Sequence, residues 1–129
     1  MPIKGNEIVF SKLECVCVPT KDIESSISFY SGLGLQEAWR IKRTTQSGTP
    51  WTLVGLRFPH EKSSELVLSD NPENQRTEVE ILVPDVRRAY EDLSENEAVQ
   101  WIEKPFATES GHVAVMRAPD DNVFVLVGA

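Results

Sequence analysis

At 129 residues, 40% of them apolar, the chain is long enough to bury one core and too short for two independent domains of ordinary size. A net charge of −7, with acidic and basic residues interspersed, repels a polyanion and argues against a nucleic-acid partner. No apolar run approaches the length that crosses a bilayer, and the opening Met1-Pro2-Ile3-Lys4-Gly5-Asn6 lacks the pattern of a signal peptide, so a cytoplasmic protein with no membrane contact is expected.

The first strand is expected over residues 13–18, an apolar run closed by Val18-Pro19. Cys15 and Cys17 stand two apart on it and point to one face, a poor arrangement for a structural disulfide, so reduced thiols are expected. Asp22 follows as a helix cap, and Ile23, Ile27 and Tyr30 give the stripe of an amphipathic helix that Gly34 stops. Strands are expected over 36–41, 51–58 and 65–69, separated by the polar loop 44–50 and the turn-rich stretch 59–64, which holds His60. On the second of these, Trp51, Leu53, Gly55 and Arg57 share one face and Thr52, Val54, Leu56 and Phe58 the other; alternation alone leaves open which face meets a ligand. After the polar linker 70–76 comes a strand over 78–83, closed by Val83-Pro84. Asp85 caps a helix with Val86, Ala89, Tyr90 and Leu93 on its apolar side. Strands over 98–102, 112–117 and 123–127 complete the chain, the last two joined by Ala118-Pro119-Asp120-Asp121-Asn122.

The order β-α-β-β-β thus occurs twice, each time with a Val-Pro pair and an Asp cap between the first strand and the helix. Such a repeat implies a duplicated unit, here one domain over 1–129 built from modules at about 8–70 and 77–129, whose halves form one site between them. No Ser-His-Asp or Cys-His set is recognisable, and Gly32-Leu33-Gly34 lacks the rest of a nucleotide-binding loop. What stands out is a group of aromatic and cationic residues on strands: Trp39, Arg40, Arg43, Trp51, Arg57, Trp101 and Phe106, with His112 at the start of another. Pockets are mostly apolar with a few orienting polar groups, and arginine grips carboxylate or phosphate in a bidentate way. The expected ligand-binding residues are therefore Trp39, Trp51, Arg57, Trp101 and His112, and the expected ligand is a small molecule, flat or apolar, with an anionic group. For any single residue the plainer reading, a tryptophan filling the core or an arginine covering it, is the stronger; only the group points to a site.

The stretch from Asp22 through Phe29-Tyr30-Ser31-Gly32-Leu33-Gly34-Leu35, the second-half run from Val83-Pro84-Asp85 to Leu93, and Ala118-Pro119-Asp120-Asp121-Asn122 resemble the vicinal oxygen chelate superfamily of glyoxalase I, bleomycin-resistance proteins and extradiol dioxygenases. The resemblance runs from about residue 13 to 127. It implies an α+β fold in which two βαβββ modules form a curved, incomplete-barrel mixed sheet with the helices outside, the glyoxalase/bleomycin resistance/dihydroxybiphenyl dioxygenase fold. It implies function far less, because one scaffold hosts many activities.

The metal enzymes of that family carry ligands on the first and last strand of each module. Counting seven back from each Asp cap, the corresponding first-strand residues here are Cys15 and Glu78, where many members have His. On the last strands they are Glu65, which matches the family's carboxylate, and Val125, which has no donor atom. A mixed Cys-Glu-Glu set without imidazole is an uncommon combination for zinc, iron or nickel. The four positions are thus expected to be vestigial, with no metal or other cofactor, and the function a non-catalytic binding protein similar to the bleomycin-resistance group. The alternative is a metal-dependent lyase, isomerase or dioxygenase with an atypical ligand set, in which Glu65 or Glu78 would move a proton. Exposed strand edges, and the habit of the resembled family, imply a homodimer.

Overall fold

The computed structural model describes residues 9–129, so the opening Met1–Asn6 stretch lies outside the described residues. The first module comprises β1 (Lys12–Pro19), α1 (Ile23–Ser31), β2 (Gln36–Thr44), β3 (Pro50–Arg57) and β4 (Glu65–Ser69). The second repeats that order as β5 (Glu78–Val83), α2 (Val86–Leu93), β6 (Gln100–Thr108), β7 (Gly111–Arg117) and β8 (Val123–Gly128). The chain is therefore an α+β protein of two βαβββ modules, as its sequence implies. It divides into two compact units, Cys15–Glu78 as one and residues 9–14 with Val79–Ala129 as the other.

Each helix begins where an aspartate halts the strand before it. Asp22 (φ −138°, ψ 99°) and Asp85 (φ −149°, ψ 114°) both keep extended backbone, and their carboxylates accept from the N–H of Ser25 at 3.1 Å and of Arg88 at 3.0 Å. In the first unit the strand order is β2-β3-β4-β1, antiparallel except for β1 beside β4. Leu35, Val54, Leu56 and Leu68 form its core beneath α1, with Ile23, Ile27 and Tyr30 packed on them. Those three helix residues keep part of their surface exposed, and no residue of α1 is fully buried. Nine residues give that short helix little area with which to seal a sheet. Leu56 has no exposed surface. Leu56→Ala should cost about 3 kcal/mol through lost transfer energy and the cavity left behind, read as a lower urea midpoint at unchanged slope.

In the second unit the order is β5-β8-β7-β6, with β5 parallel to β8. Val86 and Ala89 of α2 are buried among Ile81, Val83, Ala114, Met116 and Leu126, and Leu93 packs against the same cluster. β6 is longer than the expected strand and holds Pro105, near which its register with β7 shifts. Proline has no N–H to give a ladder and is tolerated here because β6 is an edge strand.

Acid should loosen the first module. Hydrogen bonds from Ser25 hold the Asp22 carboxyl below its ordinary pKa, and the Arg40 guanidinium does the same to Glu37 while also reaching Glu24 at 2.8 Å. A carboxyl whose folded pKa is depressed adds stability above its unfolded pKa, and that stability is lost as pH falls through the folded value. The difference in urea midpoint between the native chain and an Asp22→Asn, Glu37→Gln double variant should therefore be constant near neutrality and shrink below about pH 4. A difference that grew on acidification would contradict this account.

Candidate ligand-binding face of the first module

In the first module, α1 covers the face of β3 that carries Val54, Leu56 and Phe58. The other face, carrying Trp51, Leu53, Gly55 and Arg57, points away from the helix, which answers the question that alternation leaves open. On that helix-free face Cys15, Cys17 and Val67 are buried, with Trp39 and Leu53 packed against them. Cys15 is the register partner of Glu65 across the parallel β1–β4 pair.

Trp39 organises this surface. It stands opposite Gly55 in the β2–β3 pair, just after a register shift between Glu37 and Trp39. The indole lies directly over Gly55: a Cβ there would come within 2.1 Å of ring atoms Cε2 and Nε1. Seated so, the indole reaches β4, where its Nε1 donates to Glu65 Oε1 at 2.8 Å. Glycine within a strand often marks such a close approach, and it is the one signal in the sequence that could pair Trp39 with β3. Arg57 lies exposed on the same face. The antiparallel β3–β4 pair includes Leu56 opposite Leu66, so Arg57 and Glu65 are the next opposed positions.

The expected ligand-binding residues divide. Trp39 belongs to this cluster together with Glu65, and Arg57 lies exposed on the same face. Trp51 shares the face but lies six residues along β3 from Arg57, about 20 Å at the rise of a strand. It carries the Arg43 guanidinium 5.7 Å from its ring centroid, a separate cation–π pair. Trp101 is part of the helix side of the second module, where its ring meets Tyr90 at 4.8 Å and its N–H donates to Ser94 Oγ at 3.1 Å. His112 shares its strand face with Ala114 and Met116, both in the core under α2, and its buried Nδ1 has no hydrogen-bond partner among the described residues.

The strand register also relocates one of the four family positions. Val125 pairs with Glu80 in the parallel β5–β8 ladder, as Glu65 pairs with Cys15 in β1–β4. Glu80, half-buried, is thus the second module's counterpart of Cys15, and Glu78 sits two residues further out. Counting back from the Asp caps misses this because Val83-Pro84-Asp85 is two residues shorter than the connection from Val18 to Asp22. Glu78 itself accepts from Asn74 Nδ2 at 3.1 Å, within the turn that precedes β5.

These residues fit a family metal poorly. Val125 offers no donor atom, and the Trp39 indole already occupies one oxygen of Glu65. Imidazole, the commonest nitrogen ligand, is absent from all of Cys15, Glu65, Glu80 and Val125. Among the described residues no three of His, Cys, Asp and Glu gather as a metal site requires.

Known structures share this architecture. A methylmalonyl-CoA epimerase structure matches with a TM-score of 0.73 at 14% identity, covering 94% of this chain and 97% of that one. A methylmalonyl-CoA epimerase from Mycobacterium tuberculosis matches at 0.70 and 14% identity, covering 93% and 89%. A hypothetical protein from Bacillus halodurans does so at 0.70 and 18%, covering 92% and 94%. At these identities the likeness is one of fold. No curated protein sequence matches the chain. The sequence model of the Glyoxalase/Bleomycin resistance protein/Dioxygenase superfamily, however, matches residues 12–126, nearly the full length, and with two βαβββ modules in place the chain belongs to that superfamily.

Proposed function

We propose that this chain binds a small, partly aromatic, anionic molecule on the helix-free face of its first module, without a catalytic metal. The observation that carries the reading is the Trp39 indole, seated over Gly55 and tied to Glu65, on the strand face that also carries the exposed Arg57. An aromatic ring held at a fixed angle offers stacking area at little entropic cost, and an arginine next to it fixes the orientation of an acid. The Trp39 indole on Glu65, and the lack of imidazole at the family's ligand positions, favour binding over metal-assisted chemistry.

Titration of the protein with small aromatic acids, followed by tryptophan fluorescence, tests the reading. Saturable quenching is expected, weakened about tenfold or more by Arg57→Ala, since a charge-assisted hydrogen bond contributes about 1.5–3 kcal/mol. Metal analysis of protein purified without added ions should return no stoichiometric transition metal. A full equivalent of ion, lost on Glu65→Ala, would overturn the metal-free reading.

The chain is proposed to act as a homodimer. β2 ends the sheet as an edge strand of nine residues with no proline inside it, the kind of edge that proteins usually cover or pair. Light scattering at micromolar concentration should give twice the chain mass, and a monomer mass would refute it.

A further inference from the structure

Continued one position beyond Leu56 and Leu66, the β3–β4 register sets Arg57 opposite Glu65 on one face, where residues of opposite charge ordinarily pair. Here they do not: the Arg57 guanidinium has no hydrogen bond or ion pair among the described residues. Glu65 instead turns one oxygen to the Trp39 indole at 2.8 Å. Its second oxygen has no protein partner among the described residues and is not sealed from the surface. A fixed acceptor and an aromatic plane are thus bonded to each other on the strand face that also carries the Arg57 cation.

A plain carboxylate drawn to Arg57 would bring its own charge toward Glu65, and that repulsion would cancel part of the attraction. A hydrogen-bond donor on the carbon next to the carboxylate would lie between the two anions and satisfy the open oxygen of Glu65. From this arrangement, and resting on the binding reading above, we infer that the ligand is an aromatic 2-hydroxy or 2-amino acid. Its acid is held by Arg57, its adjacent hydroxyl or ammonium by Glu65, and its ring by Trp39. Sites built to hydrogen-bond a ligand group reject analogues that lack it, because the buried or fixed partner is left unpaired.

Four probes that share a phenyl ring separate the contributions: phenyllactate, phenylalanine, 3-phenylpropionate and phenethylamine, each titrated into the full chain by fluorescence and calorimetry. The first two should bind at least about tenfold more tightly than the last two, the size of one charge-assisted hydrogen bond. Glu65→Gln should reduce the preference for phenyllactate over 3-phenylpropionate to within about twofold. Arg57→Ala should weaken all three carboxylate probes and not phenethylamine; circular dichroism checks that each variant is folded. Equal affinity for phenyllactate and 3-phenylpropionate, still dependent on Arg57, would overturn the donor requirement and leave small-molecule binding standing. Failure of all four probes to bind at millimolar concentration would overturn both.

Discussion

Replacing Gly111 by alanine is expected to destabilise the second module by about 4 kcal/mol, a large share of the roughly 5–15 kcal/mol that ordinarily separates folded from unfolded chains. Gly111 opens β7 at φ 144°, where an L side chain is strained, and such strain costs about 1–3 kcal/mol. The added methyl would also meet the carbonyl oxygen of Gly128 at 2.1 Å and its carbon at 3.0 Å. That carbonyl has nowhere to go: Gly128 is held between His112 of β7 and Val83 of β5 in the strand register. Overpacking against fixed backbone adds about 1–3 kcal/mol more. Urea unfolding should show the loss directly, and hydrogen exchange should place it in residues 111–128. A stability within about 0.5 kcal/mol of the native chain, the range of ordinary surface substitutions, would show that the hairpin end relaxes freely.

The sequence carries the fold because its signals are local and redundant. Each Asp cap, each Val-Pro pair and each 3.6-residue stripe states the same element boundary in different chemistry, and the structure places Asp22 and Asp85 as caps of α1 and α2. β6 outruns the strand expected over 98–102 because Pro105 and the charged Glu103 and Lys104 interrupt its alternation, features that an edge strand tolerates.

The site is less legible, since membership in it depends on which face of a strand lies under a helix. On β3 both faces are apolar enough to be either, and only the seating of α1 on Val54 and Leu56 separates them. The same uncertainty admits Trp101 and His112: His112 alternates with Ala114 and Met116 on β7 and Trp101 stands opposite Met116, which assigns both to the helix side once that side is known. Glu80 is hidden for another reason. A position transferred by counting along the chain is only as good as the loop it crosses, and the two modules differ there by two residues. Strand register across β1–β4 and β5–β8 supplies the equivalence that the count cannot.

Gly55→Ala should cost about 2 kcal/mol and, more tellingly, abolish ligand binding without touching a charged group. Its new methyl would overlap indole atoms Cε2 and Nε1 at 2.1 Å and Cζ2 at 2.6 Å. The rigid ring cannot flex away locally; it must leave its rotamer, and the bond to Glu65 Oε1 goes with it. Freed from the indole, Glu65 becomes able to turn to Arg57, so the variant should trade a binding surface for an ion pair. Trp39→Phe separates the two roles of the tryptophan. It keeps an aromatic plane over Gly55 but removes the N–H, at a cost of about 1.5 kcal/mol for a hydrogen bond to a charged group. Affinity for an aromatic acid should then fall because Glu65 loses its tether, but by less than in Gly55→Ala, since the ring keeps its plane. If Gly55→Ala bound as well as the native chain, the indole would be shown to be packing alone. Equal, severe losses in Gly55→Ala and Trp39→Phe would instead put the whole effect in the hydrogen bond that aims Glu65, with the ring contributing nothing to the ligand.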